Sequence, residues 1–158
     1  MSTWAEFDAS APGIAAFVRE RLEAHRHRML ATIRADGSPR ISGIEVTIAR
    51  GELWVGGLAG SRKFADIRRD ARVALHSGSD DPPRFRGDAR LSGRAIAVLD
   101  EDTKAAFLED AGGGPPGPFD LFRLDIEEAS TVREADSKDH LVIEVWKPDM
   151  PVRRIERY

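Results

Sequence analysis

The sequence predicts a mainly β (α+β) fold: a six-stranded antiparallel barrel, closed or split, with short helices on its surface. Three observations carry that expectation. Runs in which apolar and polar residues alternate with period two recur from Arg28 to Tyr158. Clusters of Gly, Asp and Pro punctuate them, and no regular strand–helix–strand alternation of the kind that builds a parallel sheet intervenes. At 158 residues the chain is about one domain, and with no internal repeat or boundary it reads as one unit over 1–158 with a core at about 28–146.

The first element is a helix from about Pro12 to Arg26. Ser10 is placed to cap it, and Ile14, Phe17, Val18 and Leu22 recur at helical spacing while Arg19, Glu20 and Glu23 face outward. It reads as a packing helix laid across a sheet. His25 and His27 follow, two residues apart and so on different helical faces, and read as surface residues. From Arg28 the period becomes strand-like. Asp36-Gly37-Ser38-Pro39 breaks it with a hairpin signal, Arg40 to Ile48 returns, Arg50-Gly51 turns again, and Glu52 to Gly56 completes a three-stranded meander.

That third strand delivers the chain into Gly56-Gly57-Leu58-Ala59-Gly60. The glycines suit either the close approach of a flat ligand or simple turn chemistry. Gly60-Ser61-Arg62-Lys63 then opens a short helix that buries Phe64 and Ile67 and exposes Asp66, Arg68 and Arg69. A helix N-terminus preceded by a hydroxyl and opened by two cations presents three kinds of phosphate ligand together. Since the net charge is -3, that anion site is local rather than part of a general nucleic-acid surface.

Arg72 to Ser77 reads as a fourth strand and Phe85 to Leu99 as a long fifth one, bent or bulged at Gly93. Asp100 caps a helix over about Glu101 to Glu109. Gly112-Gly113-Gly114-Pro115-Pro116-Gly117-Pro118 is a connector, or a lid. Phe119 to Ile126, Ala129 to Arg133, His140 to Trp146 and Val152 to Tyr158 read as further strands, the second of them pairing with the third.

Hydrophobic residues make up 41% and charged residues 32%, a soluble globular balance. The chain has no cysteine, which excludes disulfides, thiol catalysis and Cys-ligated zinc and fits a reducing compartment. No apolar run approaches the roughly 20 residues of a membrane span, and the N-terminus lacks the basic-then-apolar order of a signal peptide. A cytoplasmic protein with no membrane or nucleic-acid partner is expected. A nucleophile elbow, a Walker loop and a His-Glu-x-x-His helix are all missing.

Gly60-Ser61-Arg62-Lys63, with Ile67 and Arg72-Val73-x-Leu75 after it, Asp36-Gly37-Ser38-Pro39 before it and Gly93-Arg94-Ala95 on a later long strand, resembles the FMN-binding split barrels of the pyridoxamine 5′-phosphate oxidase superfamily. The likeness spans roughly Met29 to Leu99. It implies that Arg62 and Lys63 hold the phosphate of FMN with help from Ser61. It also implies that the strand through Ser42, Gly43, Ile44, Glu45, Val46 and Thr47 lies against the flavin ring and ribityl chain, with Gly56 and Gly57 lining the site from the neighbouring strand. A homodimer with cofactor sites at its interface is implied as well, and an oxidoreductase acting on a small organic substrate. No side chain stands out as a catalyst, which agrees with chemistry carried by a cofactor, and no metal site is expected.

The departures from that family pattern bear on the substrate. Ser42 and Thr47 stand where basic residues flank the second strand of true pyridoxamine phosphate oxidases, and Asp88 stands at about the place of a flavin-contacting glutamine, so vitamin B6 oxidation is not expected. Two alternatives stay open. One is a reductase using the deazaflavin F420, whose acidic tail would meet Arg34, Arg40, Arg68 and Arg69. The other is a non-enzymatic flavin- or haem-binding protein, for which His76 or His140 would be the axial ligand.

Overall fold

A computed structural model describes all residues, 1–158. Eight strands and four helices follow in the order α1 (Trp4–Ser10), α2 (Pro12–Glu23), β1 (Arg28–Ile33), β2 (Pro39–Ala49), β3 (Glu52–Leu58), α3 (Arg62–Arg69), β4 (Arg72–His76), β5 (Asp88–Ala97), α4 (Glu101–Asp110), β6 (Phe119–Glu134), β7 (Leu141–Trp146) and β8 (Arg153–Arg157). The strands form one antiparallel sheet in the order β3-β2-β1-β4-β5-β6-β7-β8, and β3 also pairs with β6. That extra pairing closes β1–β6 into a six-stranded barrel and leaves β7 and β8 as an extension.

The 16-residue β6 makes both arrangements possible. One edge pairs with β5 along its length, with a register shift at Ser92/Gly93. Its other edge meets β3 over Phe119–Arg123 and β7 over Ala129–Glu134. Where that edge has neither partner, Ser2 fills the gap: Ser2 N–H donates to Ile126 O at 2.9 Å and Ile126 N–H to Ser2 O at 2.8 Å, which satisfies backbone groups otherwise left unpaired. The two short strands expected at Phe119–Ile126 and Ala129–Arg133 are therefore one. The bulge falls at Gly93 because a Cβ there would stand 1.9 Å from Asp125 O.

The N-terminus differs most from expectation. A capping box at Thr3 and Glu6 starts α1, an element the periodicity from Pro12 onward does not reveal. Ser10 ends α1 instead of capping α2, and its hydroxyl donates to Phe7 O. Ala11 is the N-cap of α2 with Pro12 at its first turn, and α2 stops at Glu23. Trp4, Phe7, Ile14, Val18 and Leu22 are buried in the same core as the barrel residues Leu30, Val55, Leu91 and Ile126, so the two helices close the barrel along one side. No helix is long and apolar enough to cross a membrane.

Candidate functional site

β3 continues two residues past its expected end at Gly56, so Gly57 is a strand residue as well and not part of a turn; Gly56 pairs with both β2 and β6, and Gly57 with β6. The chain turns at Gly60, whose φ of +80° favours glycine. Ser61 is the N-cap of α3. The roll of α3 is set by its buried face: Phe64 stacks on Phe122 at 5.1 Å, and Ile67 is 2% exposed.

Asp66 belongs to that buried face, against the expectation that it would be exposed: it is 4% exposed. Its carboxylate accepts from Thr32 Oγ1 at 2.9 Å, Arg40 Nε at 2.7 Å and Arg69 Nη2 at 3.1 Å. Burial pushes the Asp66 pKa up, but the hydrogen bonds from Arg40, Thr32 and Arg69 outweigh it and hold the carboxyl down at about 2. Helical periodicity places 66 beside the apolar residues; only the strands supply its partners. At the turn, Asp120 accepts from Gly60 N–H at 3.3 Å and from Arg68 Nη2. Both ends of α3 are thereby tied to the barrel.

This framing leaves the start of α3 with unused capacity. The Ser61 hydroxyl is enclosed and has no hydrogen-bond partner, and no carboxylate pairs with Arg62 or Lys63, although most of the other arginines do have one. Helix geometry leaves the first N–H groups of α3 without acceptors inside the helix, and the helix dipole adds partial positive charge there. Lys63 Nζ lies 5.3 Å from the Phe64 ring centroid.

Lys63 lines a cavity of about 720 Å³ on the outer face of β2 and β3. Gly43, Ile44, Glu45, Gly56 and Gly57 line it as well, so six of the nine residues expected at a cofactor site come together there. Ile44 is 3% exposed and packs into the core, so its share of the wall is main chain. Ser42 points to the other side of β2 from Gly43 and does not line the cavity, nor do Ser61 and Arg62, which stand at the helix start beside it. A Cβ added at Gly43 would meet nothing within 4 Å, so the floor is bare at that point.

Further residues complete the wall beyond the nine expected at the cofactor site. Arg26, expected as the end of the first helix, and His27, expected on the surface, line the cavity rim, where Arg26 Nε donates to Glu45 Oε1 at 2.6 Å and His27 Nε2 lies 3.8 Å from the same oxygen. Both side chains remain largely exposed, so the charges add little to stability. Thr47, Trp54, Leu58, Phe107, Phe119 and the segment Ala111–Pro116 complete the wall. The glycine-proline connector thus runs along the mouth of the cavity. A short sequence window does not reveal that Phe107 of α4 meets Trp54 of β3.

Several other expected residues are engaged elsewhere. Asp88 stands 3.7 Å from His76 Nε2 and is not on the cavity wall. His76 Nδ1 accepts from Gly78 N–H at 2.9 Å, and the His140 ring stacks on Tyr158 at 4.5 Å. Of the four arginines considered for an acidic tail, Arg40 and Arg69 are bound to Asp66 and Arg68 to Asp120, while Arg34 reaches only Ser38.

Residues 14–133 match the family model described as pyridoxamine 5′-phosphate oxidase. No curated protein matches the chain. Among solved structures it is similar to a pyridoxamine 5′-phosphate oxidase-related, FMN binding protein from Nostoc punctiforme PCC 73102, with 15% identity, 94% of this chain and 97% of that one covered and a TM-score of 0.63. It is similar to a Clostridium acetobutylicum protein related to general stress protein 26 of the pyridoxinephosphate oxidase family, with 15% identity, 85% and 94% covered and a TM-score of 0.61. A conserved hypothetical protein from Mycobacterium tuberculosis shares 21% identity over 72% of this chain and 81% of that one, with a TM-score of 0.57. Identities this low bear on the fold alone.

Proposed function

The chain belongs to the pyridoxamine 5′-phosphate oxidase family, and on that premise we propose that it is an FMN-binding oxidoreductase that acts on a small organic substrate. The observation that carries the proposal is the enclosed, unpartnered Ser61 hydroxyl beside Arg62 and Lys63, two cations without carboxylate partners, at the helix start next to the cavity that Lys63, Gly43 and Gly56 line. An unpaired buried hydroxyl is costly, and a phosphate oxygen is the acceptor that the helix N-terminus, the hydroxyl and both cations favour in common.

In this proposal Ser61, Arg62 and Lys63 hold the phosphate. Gly43, Ile44, Glu45, Gly56 and Gly57 line the slot for the flavin ring, and Ser42 braces β2 from its other side. FMN supplies the two-electron chemistry when bound. The chain's own residues bind it, keep its ring against bare backbone and exclude water from the slot. The whole of 1–158 acts as one domain in a cytoplasmic setting. FMN is favoured over F420 because three of the four arginines suited to an acidic tail already hold carboxylates.

A homodimer is part of the same proposal. The outer face of β1 and β2 carries Met29 at 44% and Ile41 at 74% exposure, beside a shallow cavity of about 410 Å³. A second copy covering that face would bury the apolar surface and lie next to Gly43 on the same side of β2. The test is the absorption spectrum of the purified protein, followed by titration with FMN. Two flavin bands and saturable binding are expected; a single deazaflavin band, a Soret band or no binding would overturn the proposal.

A further inference from the structure

α4 contributes no buried residue to the chain. This ten-residue helix builds no core, yet its Phe107 lines the cavity, as does Phe119 beside its Lys104. Phe107 meets Trp54 with ring centroids 5.8 Å apart, Asp110 is bound by Arg50, and Lys104 Nζ lies 5.7 Å from the Phe119 ring. The indole of Trp54 is held still, because its Nε1–H donates to Ala49 O at 2.9 Å and only 7% of the residue is exposed. Trp54 and Phe107 line the cavity at one end of β3, and Leu58 and Lys63 line it at the other. Leu58 lies four positions along the strand from Trp54, about 13 Å.

We infer that Trp54, Phe107 and the strap Ala111–Pro116 form a second compartment of this cavity, one that takes a flat, uncharged aromatic ring as the substrate. The inference rests on the flavin proposal for the Lys63 end. A ring suits the aromatic end because the held indole of Trp54 and the tilted Phe107 ring favour stacked or edge-on contact. Trp54 and Thr47 lie beyond Gly56 along the β2–β3 pair, so this end is separate from the glycines that line the flavin slot. Absence of charge follows from the neighbours: Arg26 and Glu45 satisfy each other at the rim, and Lys63 lies at the far end. Thr47, paired with Trp54 across β2 and β3, lines the same end and offers the ring's substituents a hydroxyl.

The test is calorimetric titration of the full-length protein with 2-naphthol as the probe, before and after saturation with FMN. Saturable binding is expected in both states, weakened about tenfold in Phe107→Ala and Phe107→Leu. FMN affinity is expected to be unchanged in both variants, and 2-naphthol affinity unchanged in Lys63→Glu. Phe107→Leu keeps an apolar side chain there, so a loss in that variant reports the aromatic face and not a collapsed helix. If 2-naphthol fails to bind, or binds the Phe107 variants as well as the parent, the compartment is refuted whatever FMN does. If FMN displaces it, or the Phe107 variants lose FMN, that end belongs to the flavin ring and the inference falls while the flavin proposal stands. If Lys63→Glu keeps FMN but Phe107→Leu loses 2-naphthol, the compartment stands and the phosphate placement falls.

Discussion

Arg40 Nε donates to Asp66 Oδ2 at 2.7 Å, joining β2 to the buried face of α3. Through this pair, with Thr32 and Arg69 on the same carboxylate, the helix that carries Lys63 is held at a set roll against the strand that carries Gly43. A buried carboxylate fastened by three donors is thus what aligns the two halves of the proposed cofactor site.

Replacing Asp66 with Ala leaves Arg40 without its partner in a largely buried position. Loss of about 3 kcal/mol in stability is expected, read as a drop in urea midpoint. The same replacement at Asp36, in the exposed β1–β2 hairpin, is expected to move the midpoint far less.

The same carboxylate makes stability depend on acid. Its folded pKa of about 2 lies below its ordinary value of 3.8, so in the unfolded chain it takes up its proton at higher pH. The stabilisation is complete above about pH 4 and is lost as the pH falls from there through about 2. Urea unfolding at a series of pH values is expected to show that loss in the parent and a flatter profile in Asp66→Asn.

Charge reversal at Lys63 removes a cation from the cavity and adds repulsion toward a phosphate. FMN affinity is expected to fall at least about 100-fold in Lys63→Glu. Arg19→Glu, on the outer face of α2, is the control and is expected to bind FMN as the parent does. Equal affinity in the two variants would place the phosphate elsewhere.

Gly43→Val adds a β-branched side chain where nothing stands within 4 Å. The strand tolerates it, so the melting temperature is expected to hold while FMN affinity drops steeply. A variant that melts early would show that Gly43 serves the fold instead of the slot.

Ile41→Glu puts a charge on the exposed apolar face of β2. The monomer fold is expected to survive, because Ile41 is 74% exposed, and light scattering on the eluting protein is expected to show half the parent mass. An unchanged mass would remove this face from the dimer interface.

Local residue order determined a good deal of this protein. Period-two runs and turn residues marked the barrel strands, Asp100 capped α4 as read, Gly93 marked the bulge, and Gly60-Ser61-Arg62-Lys63 marked a strand-to-helix corner, since each depends on neighbours a few residues away. What lies between distant segments was not legible there. Tertiary structure alone decided that Asp66 is buried, that Ser2 completes the edge of β6, that Gly57 continues a strand, and that Phe107 meets Trp54. Each of these is set by which elements lie side by side, because a backbone edge or a carboxylate is satisfied only by the partner that packing brings to it.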